Sequence, residues 1–328
     1  MTITLAHGAG GRLSHQLVQD HFLPRLRNPA LEELTDAAVV GELAVTTDGY
    51  VVSPRFFPGG DLGQLAVCGT LNDLVMSGAE PVALTVGLIL EEGLSLDELD
   101  RLVDSMAAAA RDAGVPIVAG DTKVVPRGSA DGVFITTAGV GRLSPDFRPR
   151  PSLVKVGDAV LVSGSLGDHG MAVMACREGL PLEGELESDV AFVGELVGAL
   201  RAAGVEVHAL RDPTRGGAAQ SLIEIASAAG VRIVLDEARL PIRPAVRSAC
   251  ELLGLDPLYV ANEGKLLCFV PADQADLALS TLRRSAIGSA AATIGRVEPG
   301  KLGLELETSL GARRSVRMPQ GELLPRIC

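Results

Sequence analysis

The sequence predicts an α+β fold in two domains, and three observations carry that reading. Its 328 residues are about twice the ~150 typical of a single domain. Helical and extended patterns alternate along it, and a proline-dense stretch near residue 150 interrupts them. Apolar residues make up 47% of the chain, with 38 glycines and a mean hydropathy of +0.30, which supports two cores and excludes disorder.

Residues 43–47 and 50–53 read as strands flanking Asp48-Gly49, a pair suited to a hairpin turn. Leu62, Leu65, Ala66, Leu71, Leu74 and Val75 then recur at helical spacing up to a Gly78 stop. Residues 81–90 are an aliphatic run of strand length. Ser95 with Glu98 is a capping box that opens a helix ending at Gly114. Strands at 115–119 and 132–140 complete a first domain, 1–148. Pro145, Pro149 and Pro151 mark the linker. The alternation restarts with strand 158–163, helices 168–178 and 189–202, strand 205–210, helix 217–229, strand 231–235, helix 243–253, strand 265–270, helix 272–284 and strand 291–297. That gives a second domain, 149–302, and leaves 303–328 as a flexible tail ending in Cys328. Arg313, Arg314, Arg317 and Arg326 make the end of this tail basic, and Pro319, Gly321 and Pro325 are expected to keep it irregular.

Composition removes several function classes. A net charge of −12 without a basic block, no Trp and two Tyr argue against nucleic acid as partner. Five dispersed cysteines without a CxxC pair make neither a disulfide framework nor a zinc site, and fit a reducing compartment. The most apolar run, Pro81–Leu90, is too short for the ~20 residues of a membrane span, and the N-terminus lacks signal-peptide character. The expectation is a soluble cytoplasmic protein with no membrane partner.

Three carboxylates stand at places that suit chemistry. Asp48 follows a strand, Asp73 sits beside Asn72 in an apolar helix, and Asp121 follows another strand two residues before Lys123. Carboxylates converging from such positions are what Mg²⁺ takes, with Lys123 balancing phosphate charge. Taken singly they read more readily as turn formers and a solvated helix residue; taken together, the Asn-Asp pair inside an apolar helix needs a partner. The glycine-rich stretches HGAGGR (with Gly10 and Gly11), GSLGDHG and RDPTRGG offer backbone N–H groups to an anion, though none has Walker A or dinucleotide-fold spacing. Cys328 is a thiol in a mobile terminal position.

HGAGGR, TTDGYVVSPRFFPGGDLGQLAVCGTLNDLVMSGAEP, VAGDTKVV, GDHGMAVM, RDPTRGG, ANEGK and the final PRIC together resemble HypE, the hydrogenase-maturation carbamoyl dehydratase family of the PurM-like (AIR synthetase-like) ATP-binding superfamily. The resemblance implies a two-domain fold whose N-terminal sheets form a β-barrel in a homodimer, beside a C-terminal α/β sandwich. It implies that Cys328 accepts a carbamoyl group from a HypF carbamoyltransferase. ATP-dependent dehydration would turn this into an S-cyanide, passed to a HypC–HypD scaffold for the iron of NiFe-hydrogenase. By motif, Asp48, Asp73 and Asp121, with Asn72, are the Mg²⁺–ATP candidates, and Lys123 and Glu263 the groups acting on the carbamoyl. Asp168, His169, Asp212 and Arg215 are weaker phosphate-side candidates. Two rivals remain open at this point: a PurM-like enzyme acting on a free small molecule, and a non-catalytic, nucleotide-regulated assembly module.

Overall fold

The computed structural model describes residues 2–8, 10–31, 35–180, 186–319, 324 and 326–328. Ala9, Gly321 and Pro325 of the stretches above lie outside the described residues. The chain opens with α1 (Arg12–Leu17), a π-helical turn and α2 (Leu23–Leu26), then β1 (Ala38–Val40) and β2 (Leu43–Tyr50). A small ribbon, β3 (Phe56–Phe57) with β4 (Gly60–Asp61), leads into α3 (Leu62–Met76), β5 (Ala79–Glu91), α4 (Leu96–Ala113), β6 (Ile117–Val125) and β7 (Val133–Leu143). Asp61 caps α3 by accepting from the Gly63 and Gln64 N–H groups at 2.8 and 3.0 Å, and Ser95 caps α4 by accepting from Glu98 N–H at 3.1 Å. Gly114, at φ +69°, stops α4 as expected.

These strands make one sheet in the order β1-β2-β7-β5-β6, antiparallel except between β5 and β6. The hairpin expected at Asp48-Gly49 does not form. β2 runs through both residues, paired with β7 from Leu43↔Arg142 to Tyr50↔Ile135. A continuous ladder outweighs the local turn preference of Asp-Gly. Helix α3 packs on one face of this sheet and is buried nearly all round, because it also touches α4 and the second domain. The opposite face stays open, with Leu43, Val45 and Ile89 37–42% exposed, and the edge strand β6 leaves Val118 and Val124 61% and 69% exposed.

The second domain runs β8 (Asp158–Val162), α5 (Asp168–Glu178), α6 (Gly194–Ala202), β9 (Ala209–Arg211), α7 (Gly217–Ala229), β10 (Arg232–Asp236), α8 (Pro244–Leu253), β11 (Leu267–Pro271), α9 (Ala275–Leu282), β12 (Ala292–Glu298), β13 (Gly303–Glu307) and β14 (Arg313–Val316). Its sheet, β14-β13-β10-β12-β8-β11-β9, is covered on both faces. Val160 and Val162 share a core with Leu222 and Ile225 of α7, while Leu161 packs with Leu196 and Leu200 of α6 and Leu282 of α9. The strand expected at 205–210 shrinks to Ala209–Arg211, and the helix expected from 189 begins at Gly194.

The segment expected as tail is partly sheet. β13 pairs in parallel with β10, and the arginine-rich Arg313–Val316 pairs with β13. Its charges have partners: Arg313 reaches Glu298 at 2.8 Å and Glu307 at 2.9 Å, so cross-strand ion pairs hold as strand what composition marks as irregular.

Candidate active site

Three carboxylates meet in the cleft between the domains. Asp36 precedes β1, Asp73 lies on α3 and Asp212 follows β9, and one oxygen of each falls within 4.8 Å of the others. The Thr46 hydroxyl on β2 lies 2.9 Å from Asp73 Oδ2 and 2.8 Å from the Asp36 carbonyl. Asp48 stands on the same face of β2 as Thr46 and Tyr50, and its charge reaches the cluster. Burial first, and then the neighbouring carboxylates, push Asp73 well above the usual carboxylate range and Asp212 up to about 7. Arg211, 2.9 Å from Asp36, is the cation in contact. Crowded, protonation-prone carboxylates with oxygen-only donors fit a divalent ion such as Mg²⁺, whose charge would relieve the repulsion. Asp36 escaped sequence reading, because an acid ahead of a strand looks like any turn residue.

Asp121 does not join this cluster within one chain. It pairs in register with Gly87, then Thr136, then Gly49, three strand spacings away. That is about 14 Å across the sheet, on the face opposite Tyr50 and α3. Asp121 and Lys123 contact each other at 2.7 Å, both about 70% exposed, on the open face.

Asn72, expected at the nucleotide, is spent on the domain junction. Its Nδ2 donates to the Ala191 carbonyl at 3.0 Å and its Oδ1 accepts from Val193 N–H at 2.9 Å. The same Nδ2 lies 3.4 Å from the Glu263 carbonyl. Asp189 accepts from the Glu263 and Gly264 N–H groups at 3.2 Å each and pairs with the buried Lys265 at 3.2 Å. The Glu263 main chain is thus pinned from both domains. Its side chain is buried, Oε1 finds no partner among the described residues, and burial holds the carboxyl well above its usual range. A buried carboxyl with a raised pKa is a stronger base whenever it ionises, which suits it to proton transfer. Asp189 had no signal in the sequence, and Lys265, although it closes ANEGK, needed the fold to show what it braces.

Cys328 comes back into the molecule. It is half-buried, in a cavity of about 190 Å³ lined by Gly49, Val51, Arg215, Tyr259 and Ala261. Burial pushes its thiol up to about 12 against the opposing pull of Arg215, with Glu263, Asp48 and Asp212 adding to the rise. Gly10 and Gly11 lie beside the returning chain. Gly10, at φ +79°, has its carbonyl held by Gln220, and a Cβ on Gly11 would fall 2.8 Å from the Pro319 carbonyl oxygen. Asp168, also expected near phosphate, is buried in an ion pair with Arg243 at 2.7 Å. His169 faces the Ile327 carbonyl.

Residues 34–143 match the N-terminal domain of AIR synthase related proteins, and residues 155–307 match their C-terminal domain. The carbamoyl dehydratase HypE of Azotobacter vinelandii is 48% identical over 332 residues, covering 100% of this chain and 97% of that protein. A solved HypE in complex with HypF superposes with a TM-score of 0.89 at 45% identity, over 92% of this chain and 99% of that one. A HypE in complex with ATP gives 0.85 at 48% identity over 100% of both chains. The chain belongs to the AIR synthase related family and, within it, to the HypE carbamoyl dehydratases.

Proposed function

We propose that this chain uses ATP to dehydrate an S-carbamoyl group on its own Cys328 to an S-cyanide, the source of the cyanide ligand on iron in NiFe-hydrogenase. The observation that carries this is the docked chain end: Cys328 lies within the electrostatic reach of Glu263, Arg215 and the acidic cluster. The carbamoyl oxygen accepts the terminal phosphoryl group of ATP, turning a poor leaving group into phosphate. Loss of phosphate and of both N–H protons then leaves S–C≡N, so the balance is thiocarbamate plus ATP to thiocyanate, ADP and phosphate. Glu263 takes a proton from the carbamoyl nitrogen, and Arg215 supports the charge growing on oxygen. Asp36, Asp73 and Asp212, with Asp48 behind them, would hold Mg²⁺, which supplies charge neutralisation at the phosphates.

Lys123 and Asp121 enter through a second copy. The open apolar face and unpaired β6 edge invite pairing of two N-terminal sheets in a homodimer, which would carry these side chains to the neighbouring cleft. In this reading a HypF-type enzyme loads the carbamoyl group in the cytoplasm, and a HypC–HypD complex takes the cyanide. No helix among the described residues is long and apolar enough to cross a membrane.

Intact-mass analysis with peptide mapping tests the reading. After incubation with Mg²⁺–ATP, carbamoyl phosphate and the carbamoyltransferase, Cys328 should gain a carbamoyl group and then lose one water in an ATP-dependent step. An unmodified Cys328 beside an active transferase would overturn it.

A further inference from the structure

We propose that His169 is a positioning residue for the docked chain end, its imidazole fixing the peptide group that joins Ile327 to Cys328. Three consecutive carbonyls are held there. Val51 N–H donates to Cys328 O at 3.2 Å, His169 Nε2 to Ile327 O at 2.9 Å, and Ser53 N–H to Arg326 O at 3.2 Å, where Arg177 Nη2 joins at 2.7 Å. The imidazole is thus the side chain that addresses the peptide group directly before the thiol.

The contacts define the tautomer. A carbonyl only accepts, so Nε2 carries the hydrogen and Nδ1 must accept. Its partner is the Ser188 hydroxyl at 2.8 Å, whose oxygen in turn receives Val190 N–H at 3.1 Å. Phe57 packs edge-on against the ring at 5.4 Å and 86°. With the chain end in place the ring is fully buried, its plane held by Ser188 and Phe57. Burial also lowers its pKa and keeps it neutral.

Neighbouring residues complete the register. Arg326 has φ +53°, the one non-glycine residue with positive φ among the described residues. That conformer is held by Nε donating to Val51 O at 3.0 Å and by Nη1 on Asp131 at 2.5 Å. The Ile327 side chain enters the N-terminal core. With the main chain locked at three carbonyls, little but rotation of the Cys328 side chain is left to place its sulfur.

The inference rests on the function proposed above for its purpose, but docking is measurable without ATP or a carbamoyl group. Full-length protein is treated with iodoacetamide and each cysteine followed by peptide mass spectrometry. Exposed Cys176 is the internal reference, and buried Cys68, Cys250 and Cys268 report loosening of the whole fold. His169→Ala should speed Cys328 labelling about fivefold to tenfold relative to Cys176, the loss of one buried hydrogen bond, with the buried cysteines still protected. His169→Gln, which can donate to the same oxygen, should stay within about twofold of wild type. Ser188→Ala, which frees the ring, should give a rise of about twofold to threefold, and decides the matter if His169→Ala does not fold. Unchanged Cys328 labelling in His169→Ala or in Ser188→Ala, a rise shared by the buried cysteines, or glutamine labelling as fast as alanine would each overturn it. Protection lost in His169→Ala with a wild-type protein that never loses water would instead sink only the dehydratase reading.

Discussion

The two sheets of this chain finish their burial differently. The C-terminal sheet has helices on both faces, and all of β8 is buried. The N-terminal sheet is covered by α3 on one face and leaves the other open, ending in an edge strand exposed almost throughout. The difference separates the residues of the site. Asp36, Asp73 and Asp212, with Asp48 in electrostatic reach, converge within one chain on the covered side, whereas Asp121 and Lys123 pair with each other on the open side. Residues drawn from neighbouring motifs are thus separated by the sheet within one chain, and the proposed function brings them together only through a second copy.

Mixing variants tests this most severely. Glu263→Gln and Lys123→Ala should each lower thiocyanate formation on Cys328 by about 10²-fold or more. Mixed and allowed to exchange subunits, the two should recover about a quarter of wild-type activity, because half of the dimers then hold one intact shared site. Recovery near zero would mean that each site is built within one chain. Next in size, Val118→Lys or Val124→Lys should charge the exposed edge and shift a dimer to monomer in sedimentation, while the C-terminal core keeps its stability.

The smallest effect is thermodynamic. Asp212 is held up to about 7 and Asp73 is also raised, so the folded chain binds more protons than the unfolded one above the ordinary carboxylate pKa. Stability should therefore be greatest near pH 4 and fall by several degrees in Tm as pH rises to about 7, then level off. Mg²⁺ should raise Tm at pH 8 more than at pH 5. Equal shifts at both pH values would place the ion elsewhere.

Local signals read well where the cause is local. Helices 168–178 and 217–229 and the Ser95 and Gly114 boundaries lie where glycine, caps and periodicity put them. Signals failed where partners are distant in sequence. Asp48-Gly49 is strand because β7 lies beside it, Arg313–Val316 is strand because Glu298 and Glu307 wait across the sheet, and the partners of the Asn72 amide, Ala191 and Val193, come from across the domain junction. The candidate site divides the same way: Asp73, Glu263 and Cys328 are nominated by motifs, while Asp36, Asp189 and the contact of His169 with the Ile327 carbonyl needed the fold.

The depth of the Cys328 seat bears on oxidative damage. Peroxide attacks the thiolate, and a free cysteine with pKa ~8.5 is a few per cent thiolate at pH 7. With its thiol pushed up to about 12, the docked residue holds a thiolate fraction of only ~10⁻⁵. Sulfenic acid should then form on the seated sulfur about a thousandfold more slowly than on a free one. The seat is thus also a shelter, and Cys328 would meet oxidants as a free thiol only while the chain end is away from it.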